Sequence, residues 1–195
     1  MRQGVTTRMA DTAIEIQRLD AAPATELVPQ LVTLLQDAVA DGASLGFWNP
    51  LSDALAQAYW RDVIAEVAQG RRRLLVALRD GALLGSAQLD LPTKQNARRR
   101  AEVQKLIVYR SARRQGIGQA LMRAIERVAA DEGRTLLILD TAGSAAERLY
   151  RALGYQQVGV IPRYTIEADG AELATTVFYK SLDTSLDTSL DASSR

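Results

Sequence analysis

The stretch Arg113-Arg114-Gln115-Gly116-Ile117-Gly118-Gln119 decides how this chain folds, because it joins a strand pattern to a helix pattern. A β-type run covers residues 103–109 before it, and a helical run covers residues 117–132 after it. The first N–H groups of a helix are unpaired and partly positive, glycines let the main chain approach a ligand, and arginines add full charges. The stretch therefore predicts a phosphate-binding turn at a helix start.

The spacing of this turn, Arg-x-x-Gly-x-Gly, is neither that of a P-loop nor that of a dinucleotide fold. Two other arginine clusters, at residues 71–73 and 98–100, are interpreted as solvated loop ends because they are short and do not open a helix. Arg113 and Arg114 are therefore the favoured pyrophosphate partners, and a merely solvated turn is the alternative.

Composition restricts the chemistry that the chain can perform. The 195 residues include no cysteine and no histidine, which excludes disulfides, thiolate nucleophiles and the commonest general base. Proton abstraction must use a carboxylate, a tyrosine, a lysine or a water chain, and we expect no metal site. The net charge of +1 does not favour nucleic acid, and no apolar run predicts a membrane span or a signal peptide, so we expect a cytoplasmic protein.

Apolar periodicity predicts one α/β domain over residues 13–181, built as a single mixed, mostly antiparallel sheet flanked by helices. The predicted strands lie at residues 13–19, 74–79, 83–91, 101–109, 136–140, 155–160 and 175–180. The predicted helices lie at residues 25–39, 50–69, 117–132 and from 144 to a stop at Gly154. Residues 1–12 and the low-complexity near-repeat at 182–195 are predicted to be disordered.

Three local signals set the expected boundaries. Asp80-Gly81 predicts a hairpin turn, and Asn49-Pro50 predicts a helix start with proline at the first helical position. Ser144 and Glu147 predict a capping box, so we assign Glu147 to capping. The helix after Pro50 is expected to bury one stripe, formed by Leu55, Tyr59, Val63 and Val67.

Three motifs in chain order resemble the GCN5-related N-acetyltransferase (GNAT) family. They are the turn at Arg113, Gly116 and Gly118, the preceding strand Lys105-Leu106-Ile107-Val108, and a later box at Ala146, Leu149, Tyr150, Gly154 and Tyr155. The family often has asparagine where this chain has Gly143, so one expected cofactor contact is missing. The resemblance implies a GNAT-like acyl-CoA N-acyltransferase fold with acetyl-CoA as cosubstrate. The implied cofactor-binding residues are Leu106, Ile107, Val108, Arg113, Arg114, Gln115, Gly116, Ile117, Gly118, Gln119 and Ala146.

Within that family, the stretches 101–106, 140–143 and 159–164 resemble the tabtoxin-resistance acetyltransferases, which acetylate a small amino-acid-like toxin. By this resemblance the catalytic carboxylates are Glu102 and Asp140. Acetyl transfer to an amine needs a deprotonated nucleophile, and a partly buried carboxylate can accept that proton directly or through water. The alternative is that Glu102 pairs with an arginine and that Asp140 caps a loop.

Tyr150 is the candidate acid, because its hydroxyl can protonate or hydrogen-bond the coenzyme A sulfur in the resembled family. The alternative is a core tyrosine, since Tyr150 shares a helical stripe with Ala146 and Leu153. Trp48, Asn49 and Tyr164 are candidates for the acceptor side, and Trp48 is equally interpretable as a hydrophobic staple.

The favoured function is transfer of an acetyl group to a small-molecule amine, an amino-acid-like toxin or antibiotic, by direct attack. Two alternatives stay open: acetylation of a protein N-terminus or lysine, and a non-catalytic sensor that binds acetyl-CoA. Neither nucleic acid nor membrane is expected as a partner, and the resemblance is compatible with a homodimer.

Overall fold

Helices and strands occupy most of residues 13–182, the part of the chain that the computed structural model describes. The strands are β1 (Glu15–Leu19), β2 (Arg72–Arg79), β3 (Ala82–Asp90), β4 (Arg100–Val108), β5 (Leu136–Thr141), β6 (Gln156–Ile166) and β7 (Glu172–Ser181). The helices are α1 (Ala21–Glu26), α2 (Val28–Ala40), α3 (Asp53–Ala68), α4 (Ile117–Asp131) and α5 (Ser144–Ala152). The disorder predicted for residues 1–12 and 183–195 lies outside the described residues. Leu182, the first residue of the predicted tail, donates its N–H to the carbonyl of Thr135.

The strands form one sheet in the order β1-β2-β3-β4-β5-β7-β6. All neighbouring strands in it are antiparallel except β4 and β5. One core cluster lies between the sheet and helices α4 and α5, and a second lies under α1, α2 and α3. This architecture confirms the predicted mixed, mostly antiparallel sheet flanked by helices. Across residues 13–182, every helix is too short or too polar to cross a membrane.

The two parallel strands separate soon after they meet. Residues 100–102 of β4 pair with residues 136–138 of β5, and no pairing continues although both strands run on. Beyond the separation, the register of β4 against β3 shifts between Ser86 and Gln88. Lys105, on the β4 side of that shift, has φ +50, a conformation that L-residues rarely adopt. The bulge and the separation leave an open edge on β4.

The first two helices differ from the prediction. The helix predicted at residues 25–39 is α2, and the short α1 precedes it across a break at Leu27. α3 starts at Asp53 because the side chain of Ser52 accepts the N–H of Leu55. Asn49-Pro50 lies before the helix with a cis peptide bond, so the prediction that Pro50 opens it is wrong.

The buried stripe of α3 also differs from the prediction. Ala56, Trp60 and Val63 are buried, whereas Leu55 is 59% exposed. Ala56 and Trp60 are four positions apart, so they share the buried face of the helix. Leu55 is adjacent to Ala56 and therefore faces away from the core.

Of the two remaining local predictions, the hairpin turn is confirmed and the capping box is wrong. Asp80 and Gly81 both have positive φ, 52° and 77°, which confirms the tight hairpin turn between β2 and β3. The predicted capping box is wrong, because Gly143 is the N-cap of α5 and no side chain caps the helix. Ser144 is already helical, and Glu147 instead accepts a hydrogen bond of 2.9 Å from Thr176.

Candidate active site

The turn before α4 is built around Gly116. Gly116 is the N-cap residue with φ +80, and no side chain caps the helix, so its first N–H groups have no acceptor within it. A Cβ at Gly116 would meet nothing within 4 Å, so the backbone conformation rather than space requires glycine. Gly118 is required for a different reason, the short distance between α4 and α5: a Cβ at this position would lie 3.3 Å from the Cδ2 of Leu149 on α5.

A cleft of about 600 Å³ lies between this turn, the open edge of β4 and the start of α5. All predicted cofactor-binding residues except Gln115 line it. Gln115 points elsewhere: it accepts a hydrogen bond of 3.0 Å from Arg79. The lining residues without a predicted role are Ala38, Ala43, Leu45, Ala112, Ala145, Arg148 and Leu149.

The basic residues of the cleft differ in how they are paired. The Nη1 of Arg113 lies 2.6 Å from the Oδ2 of Asp41, so this charge is largely neutralised. Within residues 13–182, Arg114 and Arg148 have no ion pair with a carboxylate. Sequence reasoning missed Arg148, whose only local signal is its place three residues after Ala145 on one helix face.

The cleft fits a ligand with phosphates at one end and a long arm behind them. Unpaired N–H groups and Arg114 lie at the start of α4, and Arg148 of α5 also lines the cleft; within residues 13–182 neither arginine has an ion pair. The rest of the cleft has an apolar wall, which is formed by Leu106 and Val108 of the open β4 edge and by Leu149. Beyond Glu102, the backbone groups of β4 that face β5 have no strand partner, so they are available to an amide-containing arm.

Glu102 and Asp140 lie on either side of the point where β4 and β5 separate. Glu102 is level with Ile138, and Asp140 follows Ile138 by two residues, so both carboxylates face the α3 side of the sheet. Glu102 accepts a hydrogen bond of 3.0 Å from Gln104, and Asp140 accepts one of 2.7 Å from Thr175. In the described part of the chain neither carboxylate has an ion pair, so the alternative arginine pairing of Glu102 is not what the structure shows.

A polar network behind Glu102 escaped the sequence analysis. Arg72 contacts the Oε2 of Glu66 at 2.6 Å, and it donates to Gln88 at 2.6 Å and to Gln104 at 3.0 Å. Gln88, which is fully buried, also exchanges a hydrogen bond with the hydroxyl of Tyr59. A glutamine inside the apolar strand 83–91 was the available signal. This network fixes Gln104 and, through it, the carboxylate of Glu102.

Tyr150 is a buried residue of the core, as one of its two sequence interpretations predicted, and its role as an acid stays a prediction. Its ring is buried against Tyr155 and Phe178, with centroid distances of 5.8 and 5.9 Å. Burial, with a smaller contribution from Asp140, raises the pKa of Tyr150 to about 12. No residue of the 13–182 segment hydrogen-bonds its hydroxyl. Tyr150 is therefore a core residue whose phenol stays protonated at neutral pH.

The segment 41–52, which we call the α2–α3 strap, contains two of the residues predicted for the acceptor side, Trp48 and Asn49. The indole N–H of Trp48 donates to the carbonyl of Ile166 at 2.9 Å, and Ser44 lies 3.5 Å from Thr165, hydroxyl to hydroxyl. The strap thereby reaches across to the end of β6. Trp48 is 59% exposed rather than buried as a staple of α3, Tyr164 is 52% exposed on β6, and Asn49 is exposed.

The site thus combines a sheet with one separating parallel pair and a basic cleft that ends at a glycine-capped helix. Residues 34–155, more than half of the chain, match the sequence model of the Acetyltransferase (GNAT) family. The chain belongs to this family, which places it among the N-acetyltransferases and confirms the resemblance carried by the motifs. The narrower likeness to the tabtoxin-resistance enzymes stays a prediction.

Individual relatives agree with this assignment. An uncharacterized N-acetyltransferase from the hisH–hisA intergenic region of Azospirillum brasilense is 30% identical over 131 residues, 66% of this chain and 76% of that protein. The mycothiol acetyltransferase of Mycolicibacterium vanbaalenii is 36% identical over 100 residues, 51% of this chain. The match spans only 29% of that longer protein.

The fold is shared with solved structures. The Salmonella typhimurium protein yncA, solved with its cofactor acetyl-CoA, superimposes with a TM-score of 0.69 at 20% identity. The superposition covers 88% of this chain and 95% of that one. Within residues 13–182 there is no group of three or more histidine, cysteine, aspartate or glutamate side chains that could hold a metal ion.

Proposed function

We propose that this protein transfers the acetyl group of acetyl-CoA to the amine of a small molecule by direct attack. The observation that carries the proposal is the placement of Glu102 and Asp140, two carboxylates without an ion pair within residues 13–182. They lie where β4 and β5 separate, beside the cleft with a basic end. A site of this kind offers a base to the attacking amine close to where a thioester would be held.

The residues of the cleft suit acetyl-CoA, which would supply the activated acetyl thioester. The N–H groups at the start of α4, with Arg114 and Arg148, would hold its phosphates. The open edge of β4 at residues 106–108 would hold its extended arm. Glycine at 118 keeps α4 and α5 close enough for both to line the cleft.

The proton steps are assigned to side chains of this chain. Asp140 or Glu102 takes the proton of the acceptor ammonium, directly or through water, which frees the lone pair for attack. Tyr150, protonated at neutral pH, donates its proton to the departing sulfur. The chain has no cysteine or histidine to form a covalent acetyl-enzyme through either residue, which favours direct attack.

The size of the acceptor is inferred from the strap. Trp48 and Ser44 reach β6, so the strap crosses one end of the carboxylate side of the sheet and narrows access for a polypeptide. Together with the resemblance to tabtoxin-resistance enzymes, this supports a small amino-acid-like toxin or antibiotic as the acceptor.

The test is the release of free thiol from acetyl-CoA with a panel of amino acids, aminoglycosides and short peptides. We expect turnover with at least one small amine and its loss in Asp140→Asn. Turnover with peptides alone would show a protein acceptor instead. Binding of acetyl-CoA without turnover on any acceptor would show a sensor and overturn the proposal.

A further inference from the structure

Lys105 lies on the same strand as Glu102 and has an unusual backbone conformation. It lies at the bulge of β4 with φ +50, a conformation that costs a non-glycine residue about 1 kcal/mol or more. Its Nζ lies 6.0 Å from the ring centroid of Tyr59, on the α3 side of the sheet. The bulge thus turns a lysine toward the face that carries Glu102 and Asp140.

The charged groups facing Lys105 differ in how far they are already satisfied. Arg72, the neighbouring cation, is paired with Glu66 at 2.6 Å and with Asp90 at 3.5 Å. Lys105 has no ion pair with any carboxylate of residues 13–182, although Glu102 and Asp140 both act on it electrostatically. One cation and two anions therefore lie on the same face of the sheet, and within residues 13–182 the cation forms no ion pair with either anion.

Partial burial of the Lys105 ammonium group further disfavours its charged form. Loss of hydration lowers the pKa of Lys105, Arg72 lowers it further, and the two carboxylates oppose both effects. A partly buried ammonium group without a contacting anion is costly, and an anion brought by a ligand would offset that cost.

We propose that Lys105 binds a carboxylate of the acceptor, so that the substrates are zwitterionic amines of the amino-acid type. The acceptor ammonium is directed to Glu102 and Asp140, and its carboxylate to Lys105. This assignment rests on the proposed acetyl transfer to an amino-acid-like acceptor and adds to it the residue that selects the carboxylate of that acceptor. A site with two anions and one cation that do not pair with each other is complementary to a zwitterion, whose ammonium group is attracted to the anions and whose carboxylate is attracted to the cation.

The experiment compares amino acids with the matching amines that lack the carboxylate and with their carboxamides. For the wild type, we expect kcat/KM to be about 10- to 100-fold higher for the carboxylate-bearing member of each set, as a charge-assisted contact provides. In Lys105→Met, we expect KM for that member to rise about 10-fold or more and the preference to disappear. Lys105→Arg keeps a cation and should keep most of the preference.

Three outcomes would overturn the inference. One is equal kcat/KM for acids, amines and amides in the wild type. Another is an unchanged preference in Lys105→Met, with folding verified by circular dichroism. The third is a fall of kcat on every amine in both Lys105→Met and Lys105→Arg at unchanged KM, which would make Lys105 a base instead.

Failure of the proposed reaction would be recognisable separately. If no amine is acetylated, calorimetric titration of amino acids into the protein with coenzyme A still tests Lys105. Binding that is lost in Lys105→Met and kept in Lys105→Arg would support the carboxylate site without the reaction. Absence of any such binding would overturn the site as well.

Discussion

Thr175 donates a hydrogen bond from its Oγ1 to the Oδ2 of Asp140 over 2.7 Å. The two residues lie on the neighbouring strands β7 and β5, where Asp140 is level with Val177. Thr175 is buried, so this contact holds the carboxylate in one orientation. The other oxygen of Asp140 has no hydrogen-bond partner within residues 13–182 and is the one available to an incoming ammonium or water.

Asp140→Asn should reduce kcat by about 10²- to 10⁴-fold, the usual range for loss of an acid–base group. The asparagine oxygen can still accept from Thr175, so we expect the fold and the Kd for acetyl-CoA to stay near those of the wild type. Steady-state kinetics and calorimetry test both expectations. Thr175→Val keeps the carboxylate and should cost less activity than Asp140→Asn. Full turnover in Asp140→Asn would remove Asp140 from the mechanism.

Gly116→Asp and Gly116→Asn form a matched pair at the start of α4. Each places a side chain of the same shape at φ +80, where space is open, and each should lower the free energy of unfolding by about 1 kcal/mol. Only the aspartate adds a negative charge beside the expected phosphates, so it should weaken acetyl-CoA binding about 10-fold or more beyond the asparagine variant. Equal affinities by calorimetry would contradict the assignment of this turn to phosphate.

Arg114 and Arg113 should differ when each is replaced by glutamine. Arg114 has no ion pair within residues 13–182, so its loss should weaken acetyl-CoA binding about 10-fold and reduce the dependence of Kd on salt. Arg113 is held by Asp41, so its loss should act more on stability than on affinity. Arg123→Gln, on the exposed face of α4, is the control with no expected effect. A larger loss of affinity for Arg113→Gln would reverse this ranking.

Tyr150→Phe should lower kcat about 10²-fold or more while leaving the Kd for acetyl-CoA nearly unchanged, because only a proton donor is removed. Tyr155→Phe is the matched control, since Tyr155 is buried in the same ring cluster but does not act on the substrate in the proposed mechanism. If the two variants have the same kcat as the wild type, Tyr150 is a core residue only.

The buried tyrosines should make the protein sensitive to alkali. Burial raises the pKa of Tyr150 from about 10 to about 12, so its proton is held more tightly in the folded than in the unfolded protein. The resulting stability is complete below pH about 10 and is lost as the pH rises toward about 12. For Tyr150 the loss is about 2–3 kcal/mol. Denaturant unfolding across this range should show a shallower decline for Tyr150→Phe, and an identical decline would contradict the shift.

Much of the fold was predictable because its signals are local. Asp80-Gly81 specifies its turn through positive φ angles that few residue pairs tolerate, and apolar periodicity located every strand. The prediction for β6 was too short, because that strand runs on to Ile166 and not only to residue 160. The errors arose where two local signals compete. Ser52 and Pro50 both suit the start of a helix, and only the burial of Trp60 decides which register α3 takes.

The cleft was predictable for a similar reason, since most of its lining comes from residues 106–119, the end of β4, the turn that follows it and the start of α4. The sequence did not predict the roles of Lys105, Arg148 and the network at Gln88, because those roles depend on the residues that lie opposite them in the folded protein. The strand pattern around Lys105 does not reveal the bulge that reorients its side chain. The helix pattern around Arg148 does not distinguish a cleft-lining arginine from a solvent-exposed one.

By itself, the sequence determined the order of the strands and of all helices except the short α1, the glycine-capped basic turn and the limitation of acid–base chemistry to carboxylates, tyrosines and lysines. These follow from chain-local physics: backbone conformations that need glycine, periodic burial, and which side chains exist. Only the tertiary structure decided that β4 and β5 separate after Glu102, that Asp41 neutralises Arg113, and that Lys105 lies on the same face of the sheet as Asp140. Those facts depend on charges and strand edges brought together from distant parts of the chain, which no local pattern records.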